Sequence, residues 1–261
     1  MSDSVPPTGK GSILAELGLR TAVDGPTAHG VAEVVDELCL PGTSALRTSV
    51  LATWADILTG AVAGVAIDPR IPLTLDLEVQ LQRPVPAGIE IRVDAEAVKV
   101  GRRVILTEAR FCDAASGEPF GLALVSFIAS PNPEHVFEGG FPKLTHLGGR
   151  LDVALAERVG GTLVEAGTFD LPRRPDGLNA SGAIQGGLVA LGAEEAVRSA
   201  LGTPAVPTSL TVRYLRPFAI GPARCVAEVR DDLAVVRLTD LGTGKLGAMA
   251  TMRLSPRSTY P

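Results

Sequence analysis

In the stretch IQGGLVALGAEE (184–195), the pair Gly186-Gly187 opens an apolar run of helical period, and Glu194 follows two turns later. The earlier stretch LRTSVLATWADI (46–57) repeats the run, with Asp56 at the matching place and Thr48-Ser49 where the glycines stand. A helix N-terminus presents unpaired backbone N–H groups and the positive end of the helix dipole. Such groups suit the negative charge that develops on a carbonyl oxygen under attack, and glycine lets a ligand approach the backbone closely. A carboxylate supplies the other half of the chemistry, a base for water or a nucleophile. Yet Gly187 and Glu194 are seven residues apart, about 10 Å along a helix axis at ~1.5 Å per residue. Reacting groups must come within about 3 Å. An acid therefore cannot readily serve the N-terminus of its own helix, but it can serve that of a second helix if the two run antiparallel.

The elements that must position these residues are written twice. ALRTSVLATWAD (45–56) aligns without gaps on AIQGGLVALGAE (183–194) at an offset of 138 residues. LDLEVQLQRPVPAG (75–88) aligns on TSLTVRYLRPFAIG (208–221) at 133, and SGEPFGLALVSF (116–127) on TGKLGAMATMRL (243–254) at 127. The falling offset is what shortened loops in the second copy produce. Each copy predicts a weak helix (GSILAELGL, LDVALAERVG), an extended segment (HGVAEVVDELCL, GTLVEAGTFDL) and a long apolar helix, then three or four alternating or β-branched strands. The long helices are predicted over 48–65 and 187–201. The first of them, SVLATWADILTGAVAGVAI, holds one charge, so it should be buried in its own sheet, and its single carboxylate needs a reason to be there. Arg83-Pro84 and Arg216-Pro217 suit strand ends, and KVGRRV and VRDDLA suit hairpin turns. SPNPEHVFEGGFPK (130–143), rich in Pro and Gly, is the natural connection between copies.

Composition excludes several classes. The 261 residues are 46% hydrophobic and 20% charged with a net charge of −5, and they contain no Lys/Arg run. Neither a nucleic-acid footprint nor an affinity for an anionic membrane is expected. Cys39, Cys112 and Cys225 are far apart with no C-x-x-C, which predicts small core residues in a reducing compartment rather than a disulfide framework or zinc site. The opening MSDSVPPTGKGS lacks the basic and apolar regions of a signal peptide, and no sequence run reaches 18 apolar residues, so a cytoplasmic location is expected. His29, His135 and His146 fall outside every motif, and no G-x-S-x-G is present.

A helix, an antiparallel meander and a duplication give an α+β chain that resembles the double-hotdog acyl-CoA thioesterases over roughly residues 30–130 and 160–255. In the phenylacetate-pathway-type branch, the start of the helix reads Asn, five residues, His-Gly-Gly, then an acid nine residues after the His. The second copy gives Asn179, Gln185 for the His, Gly186-Gly187 and Glu194. The first gives Pro41, Arg47-Thr48-Ser49 and Asp56, so neither copy keeps the His. The resemblance implies sites shared between paired hotdogs. One composite takes Asn179 and Gly187 from the second copy and Asp56 from the first; the other takes Thr48, Ser49 and Glu194 and is expected to be degenerate. It further implies Asp56 as base or nucleophile, the Gly187 N–H as oxyanion donor and Asn179 as orienter. Gln185, Gly186, Glu194 and the hairpin pair Arg102 and Arg103 would contact substrate, the arginines at coenzyme A phosphate.

Plainer roles stand beside these. Asp56 would be a satisfied polar residue, Gly186-Gly187 a close-packing or turn feature, Asn179 a turn cap and Gln185 a rim residue. Arg102, Arg103 and Glu195 would be solvated and Trp54 would be core, while Arg47, unfavourable for the dipole at a helix start, would be exposed by default or paired with an anion. The expectation is thus a tandem hotdog with a lead-in (1–22), a first hotdog (23–133), a linker (134–145) and a second hotdog (146–261). It hydrolyses acyl-CoA without a metal or redox cofactor, and by analogy forms a homo-oligomer. A non-catalytic acyl-CoA-binding scaffold is the rival. A hotdog hydratase is disfavoured because its Asp-x4-His constellation is absent.

Overall fold

The structure, a computed structural model, describes residues 11–142 and 148–255. The first repeat runs α1 (Ile13–Glu16), β1 (Arg20–Asp24), β2 (Thr27–Glu33), α2 (Thr48–Ala66), β3 (Pro72–Leu81), β4 (Glu90–Val100), β5 (Ile105–Asp113) and β6 (Pro119–Ala129). The second has the same order: α3 (Leu155–Arg158), β7 (Thr162–Glu165), β8 (Thr168–Leu171), α4 (Gly186–Leu201), β9 (Pro207–Tyr214), β10 (Ala223–Arg230), β11 (Leu233–Asp240) and β12 (Lys245–Leu254). Each repeat is a hotdog, an antiparallel sheet curled around one long helix, as the duplicated pattern predicts.

The twelve strands form one sheet in the order β1-β2-β4-β5-β6-β3-β9-β12-β11-β10-β8-β7. The two halves join where β3 pairs with β9 antiparallel, in the register Leu77↔Val212, Glu78↔Thr211 and Val79↔Leu210. Glu78 and Thr211 are equivalent positions in the 133-residue alignment, so the pseudo-twofold axis passes through that pair. The same axis sets α2 and α4 against each other in antiparallel sense.

The helix ends follow from local chemistry. The Gln185 side chain caps α4 by accepting from the Leu188 N–H at 3.1 Å, and Gly202 ends it in the left-handed conformation at φ 63°. α2 has no side-chain cap, and its buried face carries Val50, Leu51, Trp54, Leu58 and Val62 into the core. By length and composition Thr48–Ala66 would also cross a bilayer, a property that the run-length expectation missed. Burial of most of the helix inside the sheet accounts for it. Cys39, Cys112 and Cys225 are buried and free.

Three expectations change. The stretch expected as a lead-in holds α1 and the start of β1, because Ile13, Leu17 and Leu19 are at most 1% exposed and belong to the core; residues 1–10 lie outside the described residues. The single extended segment expected before each long helix is a hairpin, β1-β2 and β7-β8, and a 3-10 turn at Asp36–Leu38 replaces the strand expected through DELCL. The expected linker is no loose spacer up to residue 142. Val136 bridges Arg70, the Phe137 N–H donates to Pro69 O at 2.8 Å, and Phe137 is 9% exposed. Its remainder, with His146, lies outside the described residues.

Candidate active site

Asp56 projects from the middle of α2 towards the first turn of α4. Its Oδ2 accepts from Gln185 Nε2 at 2.6 Å and its Oδ1 accepts from the Thr74 hydroxyl at 2.8 Å. An ideal Cβ on Gly186 would lie 3.1 Å from Asp56 Oδ2 and 3.1 Å from Tyr214 Oη, so glycine makes room there for both groups. The Tyr214 hydroxyl donates to Gly186 O at 2.7 Å. Asp56, Gln185, Gly186, Thr74 and Tyr214 all border one cavity of about 510 Å³. That volume is within the ~300–1,000 Å³ range of small-molecule sites. Its walls are mainly apolar, and Asp56 and Arg216 are the charged side chains lining it.

Burial pushes the Asp56 carboxyl up to about 6, and the Thr74 hydrogen bond opposes the shift. Ionised above that pH and held against a helix N-terminus, Asp56 is a carboxylate with a proton affinity suited to base catalysis near neutrality. Burial and then the Asp56 charge push Tyr214 well above the ordinary phenol value, so it stays a neutral donor.

Gln185 does two jobs with one carboxamide. Its Oε1 caps α4 while its Nε2 holds Asp56, so the two helices are tied through one side chain. Asn179 also lines the cavity, and its Oδ1 accepts from the Ser181 N–H, the Ser181 hydroxyl and the Ala183 N–H at 2.8–3.1 Å. It therefore organises the 179–183 loop, as the turn-cap role predicts. Gly187 is buried and its glycine is explained by packing: a Cβ would fall 2.5 Å from Thr53 Cα, which lets α2 and α4 touch at backbone distance. Gly186, rather than Gly187, faces the cavity.

The pseudo-equivalent place is filled from within. Glu194 accepts from the Ser49 N–H at 3.2 Å, the Ser49 hydroxyl at 2.7 Å and Arg47 Nη1 at 3.1 Å. Arg47 Nη1 also donates to Glu195 at 2.6 Å, and Arg198 Nη2 donates to Glu195 at 2.7 Å. Burial raises the Glu195 carboxyl, but Arg198 and Arg47 outweigh it and hold the group below the usual range. Arg47 is 0% exposed and Glu195 2%, which corrects the expectation that they are solvated and gives Arg47 the anion partner that a cation at a helix start calls for. Glu194, expected at substrate, is 1% exposed and does not border the 510 Å³ cavity, because its charge is spent on Arg47 and Ser49. Arg102 and Arg103, expected at a coenzyme phosphate, are exposed on the β4–β5 turn and do not border that cavity either. His29 lies in β2 and meets Asp94 at 2.9 Å on an exposed face, outside the site.

Sequence reasoning missed Thr74, Tyr214 and Arg216. Tyr214 and Arg216 stand in the YLRPF segment whose Arg-Pro end reads as a strand terminus, so the signal was present without a reason to read it as chemistry. Thr74 carried none.

The Thioesterase superfamily model matches residues 48–119, from the start of α2 to the start of β6. Among solved structures, the 12:0-ACP thioesterase of Umbellularia californica is 11% identical, with a TM-score of 0.63 over 90% of this chain and 100% of that one. An acyl-ACP thioesterase of Bacteroides thetaiotaomicron is 12% identical, with a TM-score of 0.63 over 88% of this chain and 98% of its own. The tesB protein of Mycobacterium avium subs paratuberculosis is 14% identical, with a TM-score of 0.59 over 94% and 98%. At these identities the likeness is one of fold. No curated protein matches the chain in sequence.

Proposed function

Because the first hotdog matches the Thioesterase superfamily over residues 48–119, we propose that this chain hydrolyses an acyl-CoA thioester to a free acid and CoA at the Asp56 cavity. The observation that carries the proposal is the meeting of Asp56 with the N-terminus of α4 at the edge of a mainly apolar cavity, through Gln185 and Gly186.

With the acyl chain in the cavity, the thioester carbonyl lies at the first turn of α4, where the Gly186 N–H and the helix dipole stabilise the oxyanion. Asp56, ionised at pH 7, takes a proton from water as its oxygen bonds to the carbonyl carbon. The tetrahedral intermediate then collapses, the C–S bond breaks, and the leaving thiolate receives the proton that Asp56 took from water, which restores the carboxylate. Gln185 and Thr74 fix the carboxylate in one orientation, and the Asn179 loop borders the approach. Arg216, the cationic side chain at the cavity, suits an anionic carrier group.

The test is thiol release from a panel of acyl-CoAs and acyl carrier protein thioesters, with Asp56→Asn and Glu194→Gln alongside. Turnover abolished by the first variant and kept by the second is expected. Absence of turnover on every thioester, or wild-type rates in Asp56→Asn, sinks the proposal, and retained binding in that case favours a non-catalytic acyl-CoA-binding protein.

A further inference from the structure

The cavity continues away from Asp56 along α2. Asp56, Ile57, Gly60 and Ala61 border it, and Gly64, one turn further, underlies the ring of Phe141, with which an added Cβ would collide. Positions 56, 60 and 64 share one helix face, because residues four apart stack along a helix. Gly60 offers the cavity no side chain, and a Cβ there would meet only the Phe127 ring at 3.8 Å. The floor is therefore kept flat from the carboxylate to the aromatic ring.

What stands at the far end comes from neither hotdog. Phe137 and Phe141 belong to the connection between repeats, pack edge to face with centroids 5.3 Å apart, and border the cavity with Pro131 and Pro142. The connection is pinned to the turn between α2 and β3. The Phe141 N–H donates to Asp68 Oδ1 at 2.7 Å, the Phe137 N–H to Pro69 O at 2.8 Å, and the Ile71 N–H to His135 O at 3.1 Å. Ser130 Oγ meets His135 Nδ1 at 2.9 Å. So many ties make the aromatic pair a fixed wall rather than a loose cover.

We propose that Phe137 and Phe141 are the end stop of an acyl channel and make this chain selective for medium-length acyl groups. This rests on the acyl thioester reading of the Asp56 site. The eight residues from Asp56 to Gly64 rise about 12 Å at ~1.5 Å each. An extended alkyl chain advances about 1.25 Å per bond, from a ~1.5 Å C–C length and an angle near 111°. The channel thus takes an acyl group of about eight to ten carbons, from the bond and helix geometry just given. Within that limit each buried methylene tightens binding about fourfold.

The experiment measures hydrolysis of straight-chain acyl-CoAs from four to sixteen carbons, and binding of the matching non-hydrolysable thioether analogues, for wild type, Phe141→Ala and Gly60→Leu. Wild type should rise about fourfold per methylene to a maximum at about eight to ten carbons and fall for longer chains. Phe141→Ala should move the limit to longer chains, raising the C14-to-C10 ratio about sixteenfold where two more methylenes are taken in. Gly60→Leu blocks the channel nearer to Asp56 and should move the limit to shorter chains, which keeps the idea open to test should the Phe141 variant fold badly. Equal use of C8 and C16 by wild type, or an unchanged limit in both folded variants, overturns the end stop. Binding that follows the expected length profile without any hydrolysis sustains the end stop and removes the hydrolase reading. No binding and no hydrolysis at any length overturns both.

Discussion

Replacing Asp56 by Asn should stabilise the fold while removing turnover, with a pH dependence that identifies the cause. Burial raises the Asp56 carboxyl from its ordinary 3.8 to about 6. Between those values the folded chain holds a proton that the unfolded chain has lost, so wild-type stability falls as pH rises through the window from 4 to 6. The shift is about two units, and at 1.36 kcal/mol per unit the full cost above pH 6 is about 3 kcal/mol. Asn keeps the shape, carries no charge, and can still accept from Gln185 through its carbonyl while donating to Thr74. For a chain of this size, 1 kcal/mol moves Tm by about 2–4 °C, so the variant should melt roughly 6–12 °C higher at pH 8. Below pH 4 the two proteins should melt together, because wild-type Asp56 is then neutral in both states. Calorimetry of both proteins at pH 4, 6 and 8 checks this. A Tm gap that does not change with pH, or a variant less stable at pH 8, refutes the view of Asp56 as a carboxylate held ionised against its surroundings.

Thiol release should fall about tenfold per pH unit below about 6, as protonation removes the Asp56 base, and a pH profile of kcat/KM flat from 5 to 8 rules that role out. Arg47→Met leaves Glu194 and Glu195 with less charge compensation in the core, and a loss of about 3–5 kcal/mol in urea unfolding is expected. Gly187→Ala forces α2 and α4 apart and should cost about 1–3 kcal/mol in urea unfolding, a loss that Thr53→Ala does not recover because the added Cβ meets the Thr53 Cα itself. Gln185→Ala loses the α4 cap, worth about 1 kcal/mol, and lowers kcat more than it raises KM, because Asp56 loses its orienting donor.

The duplicated fold was legible because periodicity and repetition are properties of residue order. The offsets of 138 and 133 equate α2 with α4 and β3 with β9; that β3 pairs with β9 to join the two sheets is shown by the structure alone. A rise of about 10 Å excludes service of Asp56 to its own helix, and the double-hotdog resemblance supplied the start of α4 as its partner, where Gln185 meets it. What stayed hidden depended on where side chains end. Arg47 reads as a surface residue until Glu194 and Glu195 are seen around it, because ion pairing over 147 and 148 residues leaves no local pattern. Gly187 reads as a substrate-facing glycine until Thr53 is found against it. Phe137 and Phe141 sit in a Pro/Gly-rich stretch with no periodicity, so nothing in their order signals that they wall a cavity.

The strand pairing through Glu78 and Thr211 has a genetic consequence. In a symmetric homodimer every substitution is made twice, so an arginine placed at the start of one long helix would stand at the start of its mate as well. Covalent tandem linkage releases that constraint, and one half is free to turn its polar pocket into solid interior while the other keeps its opening. It also makes assembly of the two halves a first-order event, so the stability of the pair does not depend on how dilute the protein is.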